Sequence, residues 1–438
     1  MKKIFLILSV LLVAGMALAA CQSAGQKATQ APAATEASAA NVSGTIRMGS
    51  WDSAEALAPI NDAIKSFEAK YPGVKVQLES VPQGYGDKML TEFAAGTAPD
   101  ILQVGDGDVA KWTAQGVLEP LDPYISGDKG NNPLDMNVFY PAVAAIGQVD
   151  GKTYLLTKDY SPLVLYYNKD LFDAAGVKYP EDTWGWDNLR DAAKKLTVPG
   201  KQWGIQLPDS WGDLVWYRGI SPIIYQNGGK VISDDGKTTT GYLNSPDVVQ
   251  ALQFYVDLIK TDKSAPNKED LAALSGVDLF QTGQVAMLWT GRWPLQDFQK
   301  NTDLHFGTAQ LPKGKERANS ICWAGFAMYS KGQNKDAAWA FLKHIGAEEG
   351  ANEFAKYALT AVKPIAEQQG LATDPLNAPI IKDLENVKPL PDTKQPKWVD
   401  CAEKYFKEEL EKVFLEDKVV QAAMDEAASK ADACIAGQ

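Results

Sequence analysis

Two hydrophobic spacings alternate along the chain. Gly44-Thr45-Ile46-Arg47-Met48-Gly49-Ser50-Trp51 predicts a short strand that ends in small residues and a Trp. Ile60, Ile64 and Phe67 then recur at helical spacing within residues 57–71, and Tyr71-Pro72-Gly73 stops that helix. Residues 74–78 alternate as a strand does, 88–95 read as a helix closed by Gly96, and 99–104 read as a buried strand. Strand, helix, strand, helix, strand predicts an open α/β sheet with right-handed crossovers.

The second half continues in the same style. Strands are predicted at 163–168, 203–207 and 285–289, and helices at 186–196, 247–259 and 337–345. The end, 403–415 and 419–433, is all helix, and no repeat of solenoid period is present.

The first forty residues follow neither spacing. Lys2 and Lys3 precede an apolar run from Ile4 to Val13, then small residues lead to Leu18-Ala19-Ala20-Cys21. A charged start, a short apolar core and small residues mark a secretory signal over 1–20, too short for a comfortable membrane span. Leu-Ala-Ala-Cys resembles the bacterial lipobox, which implies a lipid on Cys21 and an extracytoplasmic, membrane-anchored location. Residues 22–40, rich in Ala, Gln, Ser and Thr, cannot offset their ordering entropy and read as a tether. Its r.m.s. reach is roughly 25 Å.

Composition narrows the partners. The 438 residues carry 43 Lys+Arg against 55 Asp+Glu, a net charge of -12. Such an acidic balance argues against nucleic acid or an anionic membrane surface as the main partner. Two His exclude a His-rich metal site, and no nucleophile elbow, HExxH or phosphate loop calls for an enzyme or a cofactor. Beyond Cys21 three Cys remain. Cys401 opens one predicted helix and Cys434 closes the next, so antiparallel helices would bring the two together as a possible disulfide. Three unpaired thiols are the alternative, and Cys322 reads as a small buried hydrophobe.

Several segments in order resemble the extracellular solute-binding proteins of ABC importers, family 1, which includes maltose-binding proteins. They are Leu165-Tyr166-Tyr167-Asn168-Lys169-Asp170-Leu171-Phe172, Thr183-Trp184, Gln226-Asn227-Gly228-Gly229, Leu243-Asn244-Ser245-Pro246, the stretch 280–293, and 330–342 with Ala337-Ala338-Trp339. The resemblance implies a two-lobed periplasmic-binding-protein-like α/β fold with interleaved lobes and a multi-crossing hinge. Lobe one would be 41–157 plus 325–360, and lobe two 158–324 plus 361–438. Crossings would fall near 157–160, 323–325 and 360–364. It also implies a monomer that passes a small-molecule sugar to the transmembrane subunits of an ABC permease.

Candidate ligand residues follow from position and from that frame. Trp is nearly as frequent as Phe, 12 against 14, and its flat face and edge N–H suit a sugar ring, although a given Trp more often packs a core. Trp51 follows the first strand at the carboxyl edge where α/β sheets bind ligands, and Asp106 and Asp108 follow the third. Asp-Gly-Asp begins some calcium loops, but no Glu closes a twelve-residue loop here, so hydrogen-bonding carboxylates are expected. In the family frame Asp159 and Tyr160 lie on the first crossing, Trp323 on the second, and Trp398 before the penultimate helix. Trp211 and Trp216 occupy a loop rich in ligand-type residues. Gly291-Arg292-Trp293 matches a segment whose Trp stacks on sugars, and Arg292 could equally pair with an acidic neighbour. Trp112, Trp184, Trp203 and Trp339 read as core.

A carbohydrate-binding subunit is the expected function. The alternatives are a binder of another small polar solute (polyol, sugar phosphate or amino compound), a secreted glycoside hydrolase, and a structural surface protein. A hydrolase needs two opposed carboxyl groups about 5–9.5 Å apart, and no such pair is evident in the sequence.

Overall fold

Among the described residues eleven strands form two main sheets and one small hairpin. The structure, a computed structural model, describes residues 42–54, 56–105, 107–208, 214–391 and 395–437. The signal, Cys21, the tether, Asp106 and Trp211 lie outside the described residues.

The first sheet has the order β2-β1-β3-β11-β6, from β1 (Gly44–Ser50), β2 (Val74–Ser80), β3 (Ile101–Gly105), β6 (Leu155–Pro162) and β11 (Ile321–Met328). β1 runs parallel to β2 and β3, and β11 is antiparallel to both β3 and β6. A strand from late in the chain thus sits inside a sheet begun at its start. The hairpin is β4 (Gln148–Val149) with β5 (Lys152–Thr153). The second sheet, β10-β7-β9-β8, comprises β7 (Val164–Asn168), β8 (Trp203–Gln206), β9 (Val285–Thr290) and β10 (Phe306–Ala309). Leu163 alone separates β6 from β7, so the chain passes directly from one sheet to the other.

The predicted helices form with small shifts at their ends. α1 (Ala58–Lys70) buries Ile60, Ala63 and Phe67, the apolar face read from the spacing. α2 (Tyr85–Ala95) starts three residues earlier than expected and stops at Gly96, whose φ of 71° any side chain would strain. α3 (Asp108–Ala114) follows β3. Asn168 caps α4 (Lys169–Ala175) by accepting from the Leu171 N–H at 3.1 Å, which gives Tyr-Asn-Lys-Asp a local physical role. α5 (Trp186–Leu196) and α7 (Pro246–Lys260) flank the second sheet, and all ten residues of α6 (Tyr217–Gln226) are buried. α8 (Lys335–Ala347), α9 (Lys404–Leu415) and α10 (Val420–Ala436) complete the principal set.

Aromatic rings fill both cores. Phe67 packs edge-on to Phe341 at 5.0 Å under the first sheet. Tyr166, Phe280, Phe298 and Phe306 interlock under the second, with Phe280 and Phe298 at 5.1 Å. Full burial of each such side chain stabilises by about 1.5–3 kcal/mol. Trp112 and Trp339 are core, as expected, while Trp184 and Trp203 are partly buried.

Cys401 and Cys434 are joined by a disulfide with a Cα–Cα distance of 5.5 Å. Cys401 lies in the turn Trp398–Glu403 that leads into α9, and Cys434 lies near the end of α10. The buried Glu409 of α9 accepts from Lys412 at 2.7 Å, Lys418 at 2.5 Å and Lys430 at 2.6 Å, which further ties α9 to α10. No helix of the described residues is long and apolar enough to cross a membrane.

Candidate ligand-binding cleft

β6 and β11 lose their regular pairing at one point. Ala324 pairs with Asp159 but Gly325 with Thr157, so Lys158 is the extra residue of a bulge. Asp159 is also bridged to Thr360. Segments near 159, 324 and 360 therefore meet at one place.

Beside it lies a cavity of about 480 Å³, lined in part by Trp51, Asp159, Tyr160, Arg292, Trp293 and Trp323. Trp51 extends past the carboxyl end of β1, edge-on to Tyr85 at 5.6 Å. Gly105 lies beneath it, where an added Cβ would stand 3.1 Å from the indole. Trp293 is 54% exposed and meets Trp216 edge-on, ring centroids 6.1 Å apart. Its segment is held from below, since Tyr166 Oη donates to the Gly291 carbonyl at 3.1 Å and the Arg292 N–H donates to Ser161 Oγ at 2.7 Å.

The charges around the cavity are arranged in two groups. Lys158 Nζ lies 2.9 Å from Asp159 and 3.8 Å from Asp52, and 5.2 Å from the Phe354 ring centroid. Burial works against its charge, but the two carboxylates outweigh that and hold its pKa above the usual lysine range. Gln103 orients Asp52 through its side-chain amide and in turn bonds Ser50 Oγ at 2.5 Å. Arg292 forms the other group. Its Nε–H donates to Asn377 Oδ1 at 2.7 Å, and Nη1 reaches the Tyr357 carbonyl at 3.4 Å.

Other expected residues lie elsewhere. Trp398 is 1% exposed and packs on Tyr217 at 5.1 Å, so it is a core residue rather than an exposed ligand platform. Its ring is packed against Tyr217, the first residue of the fully buried helix α6. Asp108 begins α3 and does not line the cavity. Trp216 does not line the cavity but meets Trp293, which does. Cys322, read as a buried hydrophobe, is only partly buried and lines the cavity. Asp52, Lys158, Ser161 and Tyr357 also line it and were not anticipated. Asp52 and Lys158 are sequence neighbours of residues that were; Tyr357 carried no signal.

Two larger hollows, of about 700 and 860 Å³, are lined only by residues on the flank of the second sheet. Neither meets the first sheet. Among the described residues one cluster, His344, Glu348 and Glu349, has metal-ligand spacing, but Lys70 Nζ already lies 3.2 and 3.1 Å from the two carboxylates.

Two α/β sheets, a chain that passes repeatedly between them and a polar, aromatic cavity where the crossings meet define a solute-binding protein. The chain belongs to the bacterial extracellular solute-binding protein family, whose profile matches residues 50–352. It is 29% identical over 311 residues to a binding protein of Brucella abortus, covering 69% of this chain and 72% of that one. It is 26% identical over 371 residues to the sn-glycerol-3-phosphate-binding periplasmic protein of Pectobacterium atrosepticum, covering 79% and 80%. Among solved structures it is similar to an ABC substrate-binding protein of Listeria monocytogenes in complex with cycloalternan. That match has a TM-score of 0.77 and 28% identity over 90% of this chain and 98% of the other. The fold is thus the two-lobed one expected, and the function that of the family, capture of an extracytoplasmic solute.

Proposed function

We propose that the chain is the substrate-binding lipoprotein of an ABC importer, anchored outside the cell membrane by lipid on Cys21. It works as a monomer, without cofactor or catalysis, and delivers a mono- or oligosaccharide to a membrane permease. The two lobes, 41–157 plus 325–360 and 158–324 plus 361–438, close over the sugar by bending at the three crossings.

One observation carries the carbohydrate reading: Trp51 and Trp293 line the same cavity as Asp52 and Asp159. Aromatic surface to cover a sugar ring and carboxylates to accept its hydroxyls are what such a solute requires. The cycloalternan complex of the Listeria protein supports the same class. Asp52 and Asp159 share Lys158 rather than opposing each other across a bond, which supports binding over glycoside hydrolysis. Arg292 favours a second reading, a small anionic solute such as a sugar phosphate, which the glycerol-phosphate-binding relative also supports.

The test is thermal melting and Trp fluorescence of the full chain against a sugar panel. A ligand at a hundred times its Kd should stabilise by about 2.7 kcal/mol. No shift with any sugar, or release of shorter sugars from an oligosaccharide, would overturn the reading.

A further inference from the structure

Among the described residues four charged side chains line the cleft, Asp52, Lys158, Asp159 and Arg292, and their partners are unevenly distributed. Asp52 and Asp159 share the ammonium of Lys158. Arg292 has no carboxylate within ion-pair distance among the described residues. A guanidinium has five N–H donors in a fixed fork. In Arg292 the Nε–H goes to a neutral amide and one Nη1–H reaches a carbonyl at the long distance of 3.4 Å. Both Nη2–H groups and the second Nη1–H meet no acceptor among the described residues.

The carboxylate whose charge acts on Arg292 is that of Asp374, and it is already engaged. Its Oδ1 accepts from the Leu376 N–H at 3.0 Å, and from the N–H and side-chain amide of Asn377, both at 2.8 Å. Burial pushes the Arg292 pKa down, with Tyr166, Asp374 and Tyr160 only partly offsetting it. Tyr160 shares the deficit. It is 3% exposed, lines the same cavity, and its hydroxyl has no hydrogen-bond partner among the described residues. A buried hydroxyl of this kind is rare unless something fills it, whereas the open N–H groups of the half-buried Arg292 are accessible from the cleft.

We infer that the solute carries an acidic group, a carboxylate or a phosphate, and that Arg292 is the residue that selects it. The inference rests on the proposed carbohydrate reading and makes it narrower: an acidic sugar, with its hydroxyls towards Asp52 and Asp159 and its anion towards the guanidinium fork. Such a fork matches a carboxylate or phosphate in two parallel bonds, whereas a neutral hydroxyl leaves the charge uncompensated. Trp293, next in sequence, would lie beside the ring that carries the acid.

Calorimetric titration of the full chain with matched sugars tests this. The set is glucose and galactose, glucuronate and galacturonate, and glucose 1-phosphate and glucose 6-phosphate, each at two salt concentrations. The acidic member of a pair should bind at least tenfold tighter, with the preference falling as salt rises. Preference for the uronates alone assigns a carboxylate, and preference for the phosphates alone assigns a phosphate. Arg292→Gln should bring the paired affinities close to equal, and Arg292→Lys should keep part of the preference while losing the fork. Circular dichroism checks that both variants fold, and the wild-type comparison stands without them. Neutral sugars binding as well as or better than their acidic partners would overturn the inference and leave the carbohydrate reading intact. Binding of no sugar, neutral or acidic, would overturn both.

Discussion

Replacing Gly291 by Ala displaces the Trp293 ring without altering the ring itself. The Gly291 backbone is outside the left-handed region, so Ala adopts it without strain. The three atoms nearest the new methyl all belong to the Trp293 ring, at 1.9, 2.3 and 2.4 Å. Carbon atoms sit best at about 3.5–4.0 Å, so the ring must move by more than about 1.5 Å. It is 54% exposed and has room to swing outward, which keeps the fold intact. The move breaks the edge contact with Trp216, an interaction of about 0.5–1.5 kcal/mol. A sugar resting on the ring in its present position loses a similar amount, which is about two- to twelvefold in affinity. Calorimetry with the sugar giving the largest melting shift reads this directly. In a Trp293→Ala background the same Gly291→Ala change should have almost no effect, so the coupling in the double-mutant cycle should equal the whole single effect. Wild-type affinity in Gly291→Ala, or an equal loss in both backgrounds, would refute the placement of the platform.

Glu409 predicts a pH dependence. Burial pushes its carboxyl up, but hydrogen bonds from Lys412, Lys418 and Lys430 more than reverse that and hold its pKa at about 2, below the unfolded 4.5. Its stabilisation, at most about 3.4 kcal/mol at 1.36 kcal/mol per unit, is complete above pH ~4.5 and disappears as pH falls towards ~2. Glu409→Gln should therefore be less stable than wild type at pH 7, with the gap closing in denaturation curves below pH ~4; a constant gap would contradict it. Trp398→Ala should destabilise by about 3–5 kcal/mol without changing the affinity of the molecules that stay folded. Lost affinity with unchanged stability would return Trp398 to the cleft. Reducing Cys401–Cys434, 33 residues apart in sequence, should remove about 3–4 kcal/mol by the chain-entropy estimate, read as a lower melting temperature; an unchanged one would show that the bond adds nothing.

Amphipathic periodicity was enough to find the helices, because an apolar face packed on a sheet leaves its spacing in the chain. Thus 186–196 and 247–259 fall on Trp186–Leu196 and Pro246–Lys260 almost residue for residue. Strands β6 and β11 leave no such trace, and the sequence places only crossings there. β6 carries Lys158 and Asp159 mid-strand because it borders the cleft, and charge there breaks the apolar pattern of a buried strand. The same cause hid Asp52 and Lys158, whose roles come from meeting across distant segments. Trp398 failed in the opposite way. A Trp before a helix looks the same in sequence whether its ring faces solvent or, as here, the rings of Tyr217 and the core.

Net charge is a poor guide to this cleft. A total of -12 disfavours anionic solutes only if the charges act together at the site, and at physiological salt their reach is about 8 Å. Within that distance the described residues of the cavity lining hold two carboxylates and two cations, with one cation consumed by the carboxylates. What a ligand meets on entering is a balanced lining whose halves differ: an acidic end centred on Lys158 and a cationic end at Arg292. Acidity elsewhere, much of it in surface pairs such as Lys230–Asp234 and Lys300–Asp297, keeps the body soluble but does not choose the solute. Selection falls to the group whose charge the protein leaves uncompensated, and among the four described charged groups that line the cleft that group is the Arg292 guanidinium.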